Sequence, residues 1–80
     1  MAEYRKESVE MIRIDSTAIE QVGYDFEAHT LVIRFHHRRS VNLFLDVPLE
    51  VWRDFMKAES KGKYFNTYIK GLFESETASL

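Results

Sequence analysis

The spacing of apolar residues changes period once along this chain, and the change separates a β half from a helical half. Residues 9–14 are β-prone, with an imperfect alternation because Met11 and Ile12 are adjacent. Asp15, Ser16 and Thr17 end that segment, since short polar side chains compete for backbone hydrogen bonds. Over residues 19–26, Val22, Tyr24 and Phe26 recur at period two, the pattern of a half-buried strand. Gly23 within it predicts a bulge or a close backbone approach. Residues 27–30 read as a hairpin turn. Leu31, Ile33 and Phe35 then point one way, with Val32 and Arg34 on the other side. The polar residues 36–40 form a second turn. Val41, Leu43 and Leu45 follow on one side of a third strand, with Asn42 and Phe44 opposite. Three successive strands with short connections make an antiparallel meander, to which residues 9–14 can add a fourth.

At Asp46-Val47-Pro48 the period becomes helical. Pro48 suits the first turn of a helix, where its missing N–H costs nothing, and Asp46 or Val47 is the expected cap. Val51, Trp52, Phe55 and Met56 then define an amphipathic helix over residues 49–58. Ser60-Lys61-Gly62 interrupts it, with Ser60 placed to cap a second helix. The core-facing set of that helix is Phe65, Ile69 and Phe73, flanked by Tyr68 and Leu72. The expected fold is α+β: a three- to four-stranded antiparallel β-meander followed by two amphipathic α-helices packed on one face. Residues 1–8 and 74–80 are polar and read as flexible tails around one domain over residues 9–73.

Composition narrows the functional classes. With 80 residues, the chain has room for one core and little for a deep, water-free active site. Hydrophobic residues make up 45% and Pro occurs once, which excludes a disordered chain. Six Phe, four Tyr and one Trp can supply most of a small core. The absence of Cys excludes disulfides and thiolate metal sites and favours a reducing, cytoplasmic setting. No apolar run exceeds the length of Leu31-Val32-Ile33, so neither a signal peptide nor a membrane helix is expected. The formal net charge is −2, and residues 10–73 hold nine Lys/Arg against nine Asp/Glu. The cations cluster nonetheless. Arg34, His36, His37, Arg38 and Arg39 form one group, and Lys57, Lys61, Lys63 and Lys70 form a looser one.

Several stretches resemble a known family. They are Gly23-Tyr24-Asp25, residues 31–35, Val47-Pro48, and Ala58-Glu59-Ser60-Lys61-Gly62-Lys63-Tyr64-Phe65-Asn66 with Ile69. Together they resemble the KTSC domain, named for its occurrence at the C-terminus of some lysyl-tRNA synthetases and also found as free-standing small bacterial and phage proteins. The resemblance spans residues 9–73, and its most specific part is residues 60–66. The family usually carries Tyr-x-Tyr on the strand before Val-Pro, whereas this chain has Asn42 and Phe44 there. The resemblance implies no established activity, and its synthetase context suggests RNA.

Single-stranded RNA is held by cations that follow phosphates and by rings that stack on bases. Phe44 beside Asn42, near Arg34, is one candidate platform, and Lys61, Lys63 and Lys70 are candidate phosphate contacts. Arg38, Arg39, Tyr64 and Asn66 complete the candidate set, with tRNA or a single strand as ligand. The structural alternative places Phe44 in the core and leaves the cations to keep the domain soluble. For residues 60–66 it makes Gly62 a helix-to-helix turn, Ser60 a cap and Asn66 a bond back to the turn. Tyr64 and Phe65 then lock the helices to the sheet. A different class is a protein-interaction module or homodimer using an exposed aromatic patch of Trp52, Phe44 and Tyr68. The two classes separate on geometry. Arg34, Arg38, Lys61, Lys63 and Lys70 on one face with an exposed Phe44 favour RNA, whereas scattered cations and a buried Phe44 favour a protein partner.

No catalysis, cofactor, metal, membrane or small-molecule substrate is expected. His36 and His37 are adjacent, and neighbours on a strand point to opposite faces. Ser60-Lys61 lacks the Ser-x-x-Lys spacing, and no Gly-rich loop precedes a helix. Asp15, Asp25 and Asp46 fall at strand ends, where turns explain them.

Overall fold

A computed structural model describes residues 9–79 of the chain. Its elements are β1 (Ile12–Arg13), β2 (Ile19–Asp25), β3 (Thr30–Phe35), β4 (Val41–Phe44), α1 (Leu49–Lys57), α2 (Lys61–Tyr68) and β5 (Ser75–Ala78). The strands form one antiparallel sheet in the order β1-β2-β3-β4-β5. Both helices fall between β4 and β5, so the chain returns from them to the edge of the sheet it left. The expected α+β meander with two helices is present, with one strand more than the alternation suggests.

That extra strand replaces the tail expected over residues 74–80. Ser75–Ala78 pairs with β4 from Phe44↔Ser75 to Val41↔Ala78. Its polar composition hides it, because an edge strand is stabilised by backbone pairing and needs few apolar side chains. The tail expected over residues 1–8 lies outside the described residues.

Each turn has a local cause. The Ser16 hydroxyl accepts from the N–H groups of Ala18 and Ile19, which ends the β1 segment. One carboxylate oxygen of Asp25 accepts from Glu27 and Ala28 in the β2–β3 turn, an Asx arrangement that reverses the chain. His29, His37 and Asp46 are in the left-handed region at φ 54°, 67° and 55°. The left-handed turn at Asp46 swings Val47 into the core, where it is fully buried. The Val47 N–H donates to the His29 carbonyl, and the Tyr24 hydroxyl donates to the Val47 carbonyl. The cap of α1 is therefore Pro48, without a side-chain bond, in place of Asp46 or Val47. Pro48 meets the requirement from one position earlier than expected.

The sheet is covered on both faces. On one, Val22, Tyr24, Leu31, Ile33 and Phe44 meet Trp52 and Phe55 of α1, Phe65 of α2, and Ile69 just after it. On the other, Val32, Val41, Leu43 and Ala78 are covered by Val9, with Met11 packed alongside. Gly23 permits that second layer. A Cβ there would stand 2.5 Å from Val9 Cγ1 and 2.9 Å from the Glu10 carbonyl oxygen. Gly23 thus marks a close approach, and the irregularity of β2 lies earlier, between Ile19 and Gln21.

Candidate functional site

A cleft of about 410 Å³ opens where α2 and the turn after it face β4 and the β3–β4 turn. The face of each strand decides what reaches it. Ile33 pairs with Asn42, so Asn42 shares the helix-covered face with Phe44 and Phe35. Phe35, Phe44 and Phe65 line the cleft from below. The Phe65 ring lies edge-on to both others, with centroids 5.4 Å apart in each case. Arg38 enters from the β3–β4 turn, Asn66 from α2 and Lys70 from just beyond it. Two cations and two amides therefore stand around an aromatic floor.

Half of the ten candidate residues line this cleft, namely Arg38, Asn42, Phe44, Asn66 and Lys70. Phe44 does so as floor. It is only 5% exposed, so the stacking platform expected on β4 is not on offer, and the structural reading of that ring is correct. The alternation suggests an open face opposite Val41 and Leu43, but both faces of β4 are covered.

The other five candidates lie elsewhere. Arg34 shares the face of Val32, away from the helices, and its guanidinium donates to the Arg39 carbonyl at 3.2 Å. Arg39 is exposed in that turn. The Lys61 ammonium turns back onto the end of α1, donating to the carbonyls of Met56 at 3.0 Å and Ala58 at 2.7 Å. A cation there satisfies orphan carbonyls and complements the helix dipole. Lys63 and Tyr64 border a separate shallow depression with Tyr68. The five-cation face expected for RNA does not form.

Residues 60–66 accordingly divide by role. Ser60 accepts from the Lys63 N–H as the α2 cap, and Lys61 holds the end of α1. Tyr64 packs on Phe55 at 5.8 Å between ring centroids. Burial, then the Asp54 carboxylate and Tyr68, push its phenol above the ordinary value. Gly62 is inside the first turn of α2, so it makes no helix-to-helix turn. Asn66 is exposed and faces the cleft, as does Gly62. Phe35, Gly62 and Ser75 are cleft residues that the sequence reading did not select. Phe35 and Ser75 had no signal beyond strand alternation, whereas a glycine inside a helix was a visible one.

The aromatic patch expected for a protein partner is reduced to one member. Trp52 is buried, stacked on Tyr24 with the rings 5.5 Å apart and 13° from parallel, and Phe44 is buried as well. Tyr68 is 55% exposed, and Leu72 beyond it is 65% exposed. His36 bonds the Ser16 carbonyl through Nε2 at 2.9 Å, so its ring serves to join two loops.

Comparison with known proteins returns one consistent family. The KTSC domain matches residues 15–73. A protein of Tsukamurella paurometabola is 37% identical over 62 residues, covering 78% of this chain and 91% of its own length. A lysine–tRNA ligase of Nostoc punctiforme is 36% identical over 69 residues, covering 86% of this chain. This chain spans only 12% of that ligase. Among solved structures, a KTSC domain protein of Yersinia pestis superposes with a TM-score of 0.84 at 31% identity, covering 89% of this chain and 99% of the other.

Proposed function

The chain belongs to the KTSC domain family, and from that premise we propose that it is a non-catalytic RNA-binding module whose contact surface is the cleft between α2 and the sheet. The observation that carries this reading is the convergence of Arg38, Lys70, Asn42 and Asn66 around one aromatic-floored cleft. Cations attract phosphate, amides match the donor and acceptor edges of bases, and the half-buried Phe35 is the floor ring left partly accessible to a base. The ligase relative contributes context, since a segment like this one lies within a protein named for its action on tRNA. The non-catalytic part is supported by the sequence pattern, since Ser60-Lys61 lacks the Ser-x-x-Lys spacing and Ser60 serves as the α2 cap.

The test is an anisotropy titration of the whole chain with labelled tRNA and short single-stranded RNA. Two phosphate-contacting cations should give a slope of log K against log salt of about −1.4, at about −0.7 per phosphate on a single strand. Lys70→Gln should reduce the slope by about half. Absence of binding at high micromolar protein in low salt removes the reading.

A protein partner is the second reading, and three observations favour it. The cations are dispersed and Phe44 is buried, while Tyr68 and Leu72 stand exposed near the end of α2. Under that reading a complex would be insensitive to salt and lost in Tyr68→Ala.

A further inference from the structure

Gly62 is the residue of the cleft that folding does not explain. It lies in the first turn of α2, and within a helix glycine is less favourable than alanine by up to about 1 kcal/mol. Its backbone is not left-handed, in contrast to Gly71 at φ 77°. A Cβ added to it would meet nothing within 4 Å, in contrast to Gly23. Neither conformation nor close packing requires a glycine at this position. What the position does is line the cleft, on the same side as Asn66 one turn further along the helix.

The cleft is also bounded in extent. Its volume of about 410 Å³ lies within the range of small-ligand sites, roughly 300–1,000 Å³. Among the described residues, Arg38 and Lys70 are the cations that line it, while Arg34 and Lys61 are turned to backbone carbonyls elsewhere. A groove for a long strand would need such a track.

We infer that the cleft is a seat for a single nucleotide, with its base against the half-buried Phe35 above the buried Phe44 and Phe65, its phosphate held by Arg38 and Lys70, and that Gly62 keeps the mouth open. The inference rests on the nucleic-acid reading and narrows it. A ribonucleotide at a strand end or splayed from a loop is the unit recognised, with Asn42 and Asn66 available to the base edge.

The experiment uses the whole chain and nucleoside 5′-monophosphates, with ribose 5-phosphate and inorganic phosphate as controls, followed by amide chemical shifts. Shifts should concentrate at Asn42, Gly62, Asn66 and Lys70. At least one nucleotide should bind ten or more times tighter than ribose 5-phosphate, because only it reaches the aromatic floor. Gly62→Leu should weaken that binding at least tenfold without lowering the melting temperature, and Gly62→Ala should raise the melting temperature. Equal binding of nucleotide and ribose 5-phosphate overturns the seat. So does unchanged nucleotide binding by Gly62→Leu, or a lowered melting temperature in Gly62→Ala, which would give the glycine a structural reason. If RNA binds while nucleotides do not, the seat is wrong and the RNA reading stands. If nucleotides bind in the cleft while RNA does not, the RNA reading alone fails.

Discussion

Single residues in this protein carry tasks that their neighbours in sequence do not reveal. Tyr24 is an alternating strand residue by pattern, yet its hydroxyl reaches 23 positions along the chain to the Val47 carbonyl, fixing the entry to α1. Burial, then the carboxylates of Glu50 and Asp25, raise its phenol above the ordinary value. A folded-state pKa above the unfolded one means that the folded state holds the proton more tightly. The associated stability is fully present below about pH 10 and is lost as pH rises through the higher folded value. Tyr24→Phe should therefore act twice. At neutral pH it should lower unfolding free energy in urea by about 1–3 kcal/mol, because the buried Val47 carbonyl loses its donor. Above about pH 10 the decline should be shallower than in the wild type. Parallel melts at neutral and alkaline pH measure both effects, and identical alkaline slopes would remove the link to Tyr24.

At the scale of elements, the sheet edge is the informative place. β5 is polar in three of its four residues and exposed along most of its length. Its contribution comes from backbone pairing with β4 and from Ala78 covering Val41, which is fully buried. Deleting residues 75–80 leaves β4 paired with β3 alone and exposes one face of Val41. Net hydrogen bonds of about 1 kcal/mol each and one buried Val side chain together predict a loss of at least about 2 kcal/mol in urea melts. Amide exchange should accelerate along β4. An unchanged midpoint would mean that these residues are a tail after all. The helix pair depends on a similar non-obvious contact, since Lys61 closes the end of α1 from the first turn of α2.

Across the whole molecule, Phe65 is the ring that joins α2 to two strands at once. Phe65 of α2 meets Phe35 and Phe44 of adjacent strands and is 8% exposed. Its removal leaves a cavity at the junction that neither layer can close alone, so Phe65→Ala should cost about 3–5 kcal/mol of stability. A loss below about 1 kcal/mol would place the centre of the core elsewhere. The same junction is the cleft floor, so stability and recognition share side chains here. Substitutions at Gly62 and Lys70 on the rim therefore change binding while leaving the rings beneath in place.

Local chemistry was enough to read much of this from the chain. The change from period two to helical spacing at Pro48 located the meander, α1 and the start of α2, which ends at Tyr68, short of the expected Ile69 and Phe73. Short polar side chains at Ser16 and Asp25 marked the turns they make, and Ser60 marked its cap. Each of these depends on residues close together in sequence. The family was also legible, because residues 60–66 are a continuous block. Long-range geometry decided the rest. The pairing of a polar C-terminal segment with β4, the burial of Phe44 on a covered face and the inward turn of Lys61 each depend on partners far along the chain or on another element. Charge clustering in sequence suggested one cationic face, but alternation along β3 sends Arg34 to one side of the sheet while the following turn carries Arg38 to the other. Period-two geometry separates neighbours in sequence, and only the packed sheet and helices determine which distant residues meet at the cleft.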